Sequence, residues 1–377
     1  MQYTKYRDHV LSKGKKRILA LDGGGIRGLF TVQLLKRLET IIREKTHNPH
    51  ARLCDYFHLV GGTSTGAIIA SAIATGKTAD ELNDIYRELG KVIFKRSWSR
   101  FGALRSKFAT QPINEALKIH FGDMTMSDIT HRGIGLGIVS KRLDTDSVWI
   151  IDNNPEGKYF SPEEGDNGGY LLRQVIRAST AAPIYFNPEI IQIHKQQKGK
   201  FVDGGVSPHN NPALQLFMLA TMQGYRYNWK MGEDELFILS LGTGSWSKKT
   251  QVHSNKFSFQ FSASNAIESL ISLMEDTTEL NRSMMQWLGK STGSLGEIDS
   301  VMGNFENETL TDKPLFSYMR YDAVLEKNWL ATQLDLKDLS DKQIRRLRAM
   351  DVLDTMDMLE TVGQAYAEKM ILPEHIR

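Results

Sequence analysis

Cysteine occurs once in 377 residues, at Cys54. That excludes an internal disulfide framework and any multi-cysteine zinc site, and it suits a reducing compartment. The thiol reads as a buried structural one. No run approaches the ~18 uninterrupted apolar residues that a spanning helix needs, and the polar stretch from Met1 to Arg17 lacks the apolar segment of a secretory signal. The expectation is a cytoplasmic protein that can meet a membrane only peripherally, at the bilayer surface. Charge of one sign is also scarce: 47 Lys and Arg against 44 Asp and Glu leave a net +3, too little to select a nucleic acid polymer as partner. HExxH and cysteine clusters are missing, so no metal and no other cofactor is expected. Low-complexity runs and repeats of 20–50 residues are absent as well.

What remains is an ordinary globular composition, 41% hydrophobic and 24% charged, with length enough for one large α/β domain and an appended region. The run Ile18-Leu19-Ala20-Leu21 reads as a buried parallel strand that breaks into Asp22-Gly23-Gly24-Gly25-Ile26-Arg27-Gly28. A helix follows, with Val32, Leu35, Leu38 and Ile42 as its core stripe. The pattern recurs: a strand at residues 56–60, a turn at 61–66, and a nearly all-apolar helix over 65–74 closed by Gly76. Two tandem βα units imply a parallel sheet. Further strands are expected at 133–139, 148–152, 190–194 and 236–241, with a helix over 171–179. Past Thr250 strand signals fade and helical ones take over, at 263–288 and 340–370, the latter opened by a Ser340 and Gln343 capping box. The expected fold is a three-layer α/β/α arrangement with a mainly parallel central sheet. Residues 16–250 form the α/β domain, and 251–377 a mainly helical region packed on it.

Gly62-Thr63-Ser64-Thr65-Gly66 fits the nucleophile elbow, where small flanking residues let a strained serine sit exposed between strand and helix. The following helix would favour negative charge developing beside Ser64. A plain glycine turn with a capping serine is the bland alternative. Gly23, Gly24 and Gly25 leave backbone N–H groups unobstructed, so they can turn toward one oxyanion. The same loop meets the G-x-G-x-x-G spacing at Gly23, Gly25 and Gly28, but the acid that a dinucleotide ribose requires is missing, since Glu39 and Glu44 fall in or at the end of the helix. In Phe201-Val202-Asp203-Gly204-Gly205 an acid ends a short apolar run; to act on a serine it needs desolvation and direct contact.

These blocks, with Asn210-Asn211-Pro212 after Asp203 and Ala178-Ser179-Thr180-Ala181-Ala182-Pro183 before it, resemble the patatin-like phospholipase family in order and spacing, over roughly residues 16–244. The resemblance implies a serine acyl hydrolase that cleaves lipid acyl esters, phospholipid in the first instance. It implies a Ser64 and Asp203 dyad without histidine, an acyl-enzyme on Ser64, and an oxyanion hole from Gly23, Gly24 and Gly25. Arg27 holds the loop's basic position, to brace it or to draw a lipid phosphate. Some bacterial members of the family are lipase effectors in anti-phage defence switched on by cyclic nucleotides, so the resemblance extends to a cyclic nucleotide activator. Beyond Thr250 it finds no motif; the helical faces there could pair in a homo-oligomer.

His209 and His58 keep a Ser-His-Asp triad open as the minor mechanism. Residues 95–108 interleave five cations with Trp98, Phe101, Leu104 and Phe108, and a second basic, aromatic stretch runs from Trp246 through Lys248, Lys249 and Lys256 to Phe261; both suit an anionic lipid surface or a solvated loop. Two other readings stand beside lipid ester hydrolysis: a dinucleotide-binding oxidoreductase, and a non-catalytic binding protein on a hydrolase fold.

Overall fold

The computed structural model describes residues 2–93, 110–183, 185–246, 263–291, 298, 301–305 and 308–376. The basic stretch at 95–108 lies outside these residues, as do Lys248, Lys249, Lys256 and Phe261. The described strands are β1 (Lys16–Leu21), β2 (Leu59–Thr63), β3 (Gly135–Arg142), β4 (Ser147–Asp152), β5 (Glu189–His194), β6 (Gln197–Asp203), β7 (Leu236–Leu241), β8 (Lys290–Ser291) and β9 (Ser317–Tyr321). They form one sheet in the order β5-β6-β3-β2-β1-β7-β9-β8, with β4 paired to β3 off this path. The run from β3 to β8 is parallel; β4, β5 and β6 pair antiparallel.

Residues of β1, β2 and β7 are buried almost without alternation, because a parallel sheet is covered on both faces. The main covering helices are α1 (Gly28–Thr46), α2 (Thr65–Ala74), α3 (Ala79–Ile93), α4 (Leu172–Ser179), α5 (Ala213–Thr221), α6 (Ala263–Leu288) and α7 (Met356–Met370). Consecutive strand residues point to opposite faces, and β2 displays both layers in two residues: a methyl at Gly61 would meet Leu216 of α5, and one at Gly62 would meet Gly66 of α2. The stripe foreseen on α1, Val32, Leu35, Leu38 and Ile42, is fully buried. Cys54 is only half-buried, and burial pushes its thiol up to about 11. Among the described residues no helix is long and apolar enough to cross a membrane.

The boundaries differ from expectation where polar or glycine residues take strand conformation. β2 runs three residues later than residues 56–60, through Gly61-Gly62-Thr63, while Tyr56 closes a short helix, Leu53–Tyr56. β6 adds four residues, Gln197 to Lys200, ahead of the apolar run that ends in Asp203. The C-terminal third is helical at Ala263–Leu288, Asp341–Leu347 and Met356–Met370, and Ser340 and Gln343 form the expected capping box. It also supplies β8 and β9, so residues beyond 250 extend the sheet itself.

β9 carries Arg320 into the interior, where its guanidinium donates to Asp22 at 2.7 and 3.3 Å, to Asp322 at 2.9 Å and to Ser240 at 2.7 Å. Burial pushes the Asp22 carboxyl up to about 6, and Arg320 counters part of that rise. Arg320→Met should destabilise the fold by about 3–5 kcal/mol in urea unfolding, because a buried carboxylate loses its partner. Asp22 would then have to be protonated to stay buried. A carboxyl whose folded pKa lies above its unfolded value loses stability as pH rises, so the deficit should be larger at pH 8 than at pH 5.

Candidate active site

A strand has two edges, and β3 uses both. β4 occupies one edge from Gly137 to Arg142. The other edge is shared end to end: β2 pairs with Gly135 through Val139, and β6 takes over at Ser140. Thr63, the last residue of β2, lies opposite Val139, and Asp203, the last of β6, lies opposite Ser140. The two strands run toward each other and stop head to head, which brings Ser64 to Asp203 across 139 residues of sequence.

Ser64 sits at φ 53° and ψ −118°, a conformation that strains an L-residue by about 1–3 kcal/mol. Close crossing makes the turn possible: a methyl at Gly66 would lie 2.0 Å from the Leu21 carbonyl oxygen, and one at Gly62 would lie 2.1 Å from Gly66. The Ser64 N–H donates to Ser179 Oγ at 2.8 Å, and that hydroxyl donates to the Val139 carbonyl at 2.6 Å. Helix α2 begins at the next residue, so the positive end of its dipole faces the serine. Ser64 Oγ donates to Asp203 Oδ2 at 2.6 Å, and Asp203 Oδ1 accepts the Gly205 N–H at 2.7 Å. Burial raises the Asp203 carboxyl to about 6, against the lowering influence of the Ser64 and Gly205 hydrogen bonds and of the Arg177 charge.

The glycine loop is pinned through its carbonyls. Gly23 O accepts from Thr243 Oγ1 at 3.2 Å, Gly24 O from Arg27 Nε at 3.4 Å, and Gly25 O from Thr65 Oγ1 at 2.9 Å and Tyr86 OH at 2.5 Å. The C=O and N–H of one trans peptide point in opposite directions, so anchoring the first two carbonyls aims the amides of Gly24 and Gly25 away from those anchors. Among the described residues neither amide has a backbone partner. Gly24 and Gly25 line the same cavity as Ser64. The Gly23 amide differs: it donates to the Asn210 carbonyl at 3.1 Å. Of the three amides expected to face an oxyanion, that of Gly23 is therefore engaged within the fold, and those of Gly24 and Gly25 have no backbone partner among the described residues. Gly25, at φ 61°, is pressed against the Met350 carbonyl, which also accepts the Ile26 N–H at 2.8 Å.

Arg27 is buried, donates to the Gly24 and Gly244 carbonyls, and stacks on Trp246 at 4.9 Å. These are the contacts of a brace. His58 stands before the first residue of β2, a strand's length from Ser64; its Nδ1 accepts the Arg17 N–H, and burial pushes the ring down to about 2. His209 offers its carbonyl to Thr63 Oγ1, while its Nδ1 has no hydrogen-bond partner among the described residues. Neither ring bridges Ser64 and Asp203, which touch directly. No acidic residue ends β2, and Glu39 is engaged with Arg43 and the Ala79 amide, so the ribose partner of the dinucleotide reading has no place. Among the described residues no group of three His, Cys, Asp or Glu is arranged to hold a metal.

A cavity of about 990 Å³, its solvent mouth included, opens beside Ser64 and Asp203. Ile68, Leu89, Ile93, Ile113, Phe186, Ile271 and Met274 make most of its wall apolar. Such a wall fits a hydrocarbon chain, with polar groups confined to one end. Thr243, Tyr86, Ser179 and Met350 act on the site without a sequence signal of their own. Ser179 falls within the stretch Ala178 to Pro183, but nothing in the sequence gives any of the four a role.

The Patatin-like phospholipase family model matches residues 19–217, more than half of the chain, and the chain belongs to that family. It is 30% identical over 239 residues to a cGAMP-activated phospholipase of Escherichia coli (strain TW11681), covering 62% of this chain and 64% of the relative. It is 31% identical over 234 residues to a cUMP-AMP-activated phospholipase of Escherichia coli, covering 60% and 64%. Patatin-2-Kuras 1 of Solanum tuberosum is 29% identical over 248 residues, covering 61% and 63%. The chain thus covers less than two thirds of the length of each of these relatives. Family membership replaces the oxidoreductase reading.

Ser179→Ala would leave the Ser64 N–H and the Val139 carbonyl without their shared hydroxyl. It should cost about 1–3 kcal/mol of stability by urea unfolding; wild-type stability would mean the elbow does not lean on that residue.

Proposed function

We propose that this protein hydrolyses acyl esters of phospholipids with Ser64 as nucleophile and Asp203 as its base. The observation that carries the reading is the 2.6 Å hydrogen bond from Ser64 Oγ to Asp203 Oδ2. As Ser64 Oγ bonds to the ester carbon, its proton passes to Asp203, and the carbonyl oxygen becomes an anion facing the amides of Gly24 and Gly25. Collapse breaks the bond to the alcohol, which takes the proton from Asp203 and leaves as lysolipid. Water then gives a proton to Asp203 while its oxygen bonds to the acyl carbon; the bond to Ser64 breaks, Ser64 recovers the proton, and a fatty acid is released. Loss of a single oxyanion donor raises such a barrier by ~3 kcal/mol.

Burial is what suits Asp203 to the task. A carboxylate at its ordinary pKa is a weak base toward serine, and raising it to about 6 strengthens it while leaving it ionised at pH 7 to 8. The apolar cavity supports an acyl chain as the bound part of the substrate, and a lipid reached in this way is met at the bilayer surface. The names of the two Escherichia coli relatives, activated by cGAMP and by cUMP-AMP, support a further element: a cyclic dinucleotide switches this enzyme on, as in a bacterial defence effector.

Ser64→Ala and Asp203→Asn should each lower fatty acid release from phosphatidylcholine vesicles by about 10³-fold or more, measured with and without cGAMP. The base must be deprotonated, so kcat/KM of the wild type should fall as pH drops through about 6. Full release by the Ser64 variant, or a flat profile down to pH 4.5, contradicts the dyad. Wild-type release that is equal with and without cGAMP contradicts activation by that nucleotide.

A further inference from the structure

Taking Ser64 as the nucleophile, as proposed above, the structure also bears on what holds the oxyanion loop in register with it. Three consecutive carbonyls after Asp203 accept hydrogen bonds from three separate parts of the molecule. Pro208 O accepts from Asn281 Nδ2 of α6 at 2.5 Å. His209 O accepts from Thr63 Oγ1, the residue before Ser64, at 2.6 Å. Asn210 O accepts from the Gly23 N–H at 3.1 Å. Residues 208–210 therefore form a strut between α6, the end of β2 and the first residue of the glycine loop.

A second tie joins the strut to α6, because Asn210 Nδ2 donates to Thr278 Oγ1 at 3.2 Å. Thr278 has one hydroxyl proton, and it is directed to the Met274 carbonyl at 2.8 Å, which leaves the oxygen to accept and so sets the orientation of the Asn210 amide. Asn281 is held in the same way by a second bond, to the Thr277 carbonyl at 2.9 Å. Asn281 is 2% exposed and Asn210 8%, so both amide donors are themselves shielded, while the bonds they make are part-buried. Neither Thr278 nor Asn281 lines the cavity, so neither touches a substrate there. Both lie beyond residue 217, outside the family match.

We infer that Thr278 and Asn281 of α6 are positioning residues for the oxyanion loop, acting through residues 208–210 to fix Gly23, and with it the amides of Gly24 and Gly25, against Ser64. The glycine loop is thereby registered from the C-terminal helix as well as from the sheet. The same helix presents Ile271 and Met274 to the cavity, so one rigid element sets both the acyl wall and the donor geometry.

The test uses the full chain and p-nitrophenyl butyrate, comparing wild type, Ser64→Ala, Thr278→Val, Thr278→Ser and Asn281→Leu. Thr278→Val keeps the shape and removes the acceptor, so kcat should fall about tenfold or more, as misplacement by an ångström does, with KM unchanged. Thr278→Ser should restore kcat, and Asn281→Leu should repeat the fall, which gives a second reading if the valine variant does not fold. Wild-type kcat in Thr278→Val and Asn281→Leu, beside an inactive Ser64→Ala, overturns the positioning role and leaves the nucleophile standing. A loss that serine does not rescue, or that falls on KM, overturns it too. Activity retained by Ser64→Ala sinks the nucleophile reading and this inference with it.

Discussion

The site depends on how one edge of β3 is shared. Because β4 fills the opposite edge, β2 and β6 must meet end to end on the remaining one, at Val139 and Ser140. No flexible loop has to carry the carboxylate to the serine; backbone ladders do it, and ladders hold positions to within fractions of an ångström. The strain at Ser64 is tolerable for the same reason. Its neighbours over-determine it, through Ser179 on one side and the crossing glycines on the other.

A second constraint follows from the peptide unit itself. Donors aimed at a developing oxyanion must be fixed before the reaction, and amides cannot be fixed by bonding their own hydrogens. Here the carbonyls are bonded instead, by Thr243 and Arg27 along the first two peptides and by Thr65 and Tyr86 at the third. The anchors come from the end of β7, from the loop, from α2 and from α3. Ile26 and Gly25 lean on Met350, far along the chain. The glycine loop is therefore a junction of the fold, and buried Asp22 and Arg320, with half-buried Asp322, lock β9 to the same spot.

Those parts of the site that rest on glycine and serine spacing were legible in the sequence. Ser64 follows a strand and opens a helix, and Gly23 to Gly25 precede another; each pattern leaves a mark because only small residues fit. The placing of Asp203 beside Ser64 was expected from the resemblance more than from its strand, since Gln197, Lys198 and Lys200 are polar and leave no apolar alternation. β9 escaped notice because Ser317–Tyr321 is short and holds an arginine, paired only in the folded state. The engagement of the Gly23 amide with Asn210 was equally hidden, as a backbone bond across 187 positions has no residue signature.

The central claim is that Ser64 is an activated nucleophile, and reaction with a fluorophosphonate followed by mass-spectrometric mapping tests it most directly. The account predicts one adduct, on Ser64, formed in the wild type and lost in Asp203→Asn. No adduct, or an adduct on a different serine, would contradict it and would favour a binding protein built on a hydrolase fold.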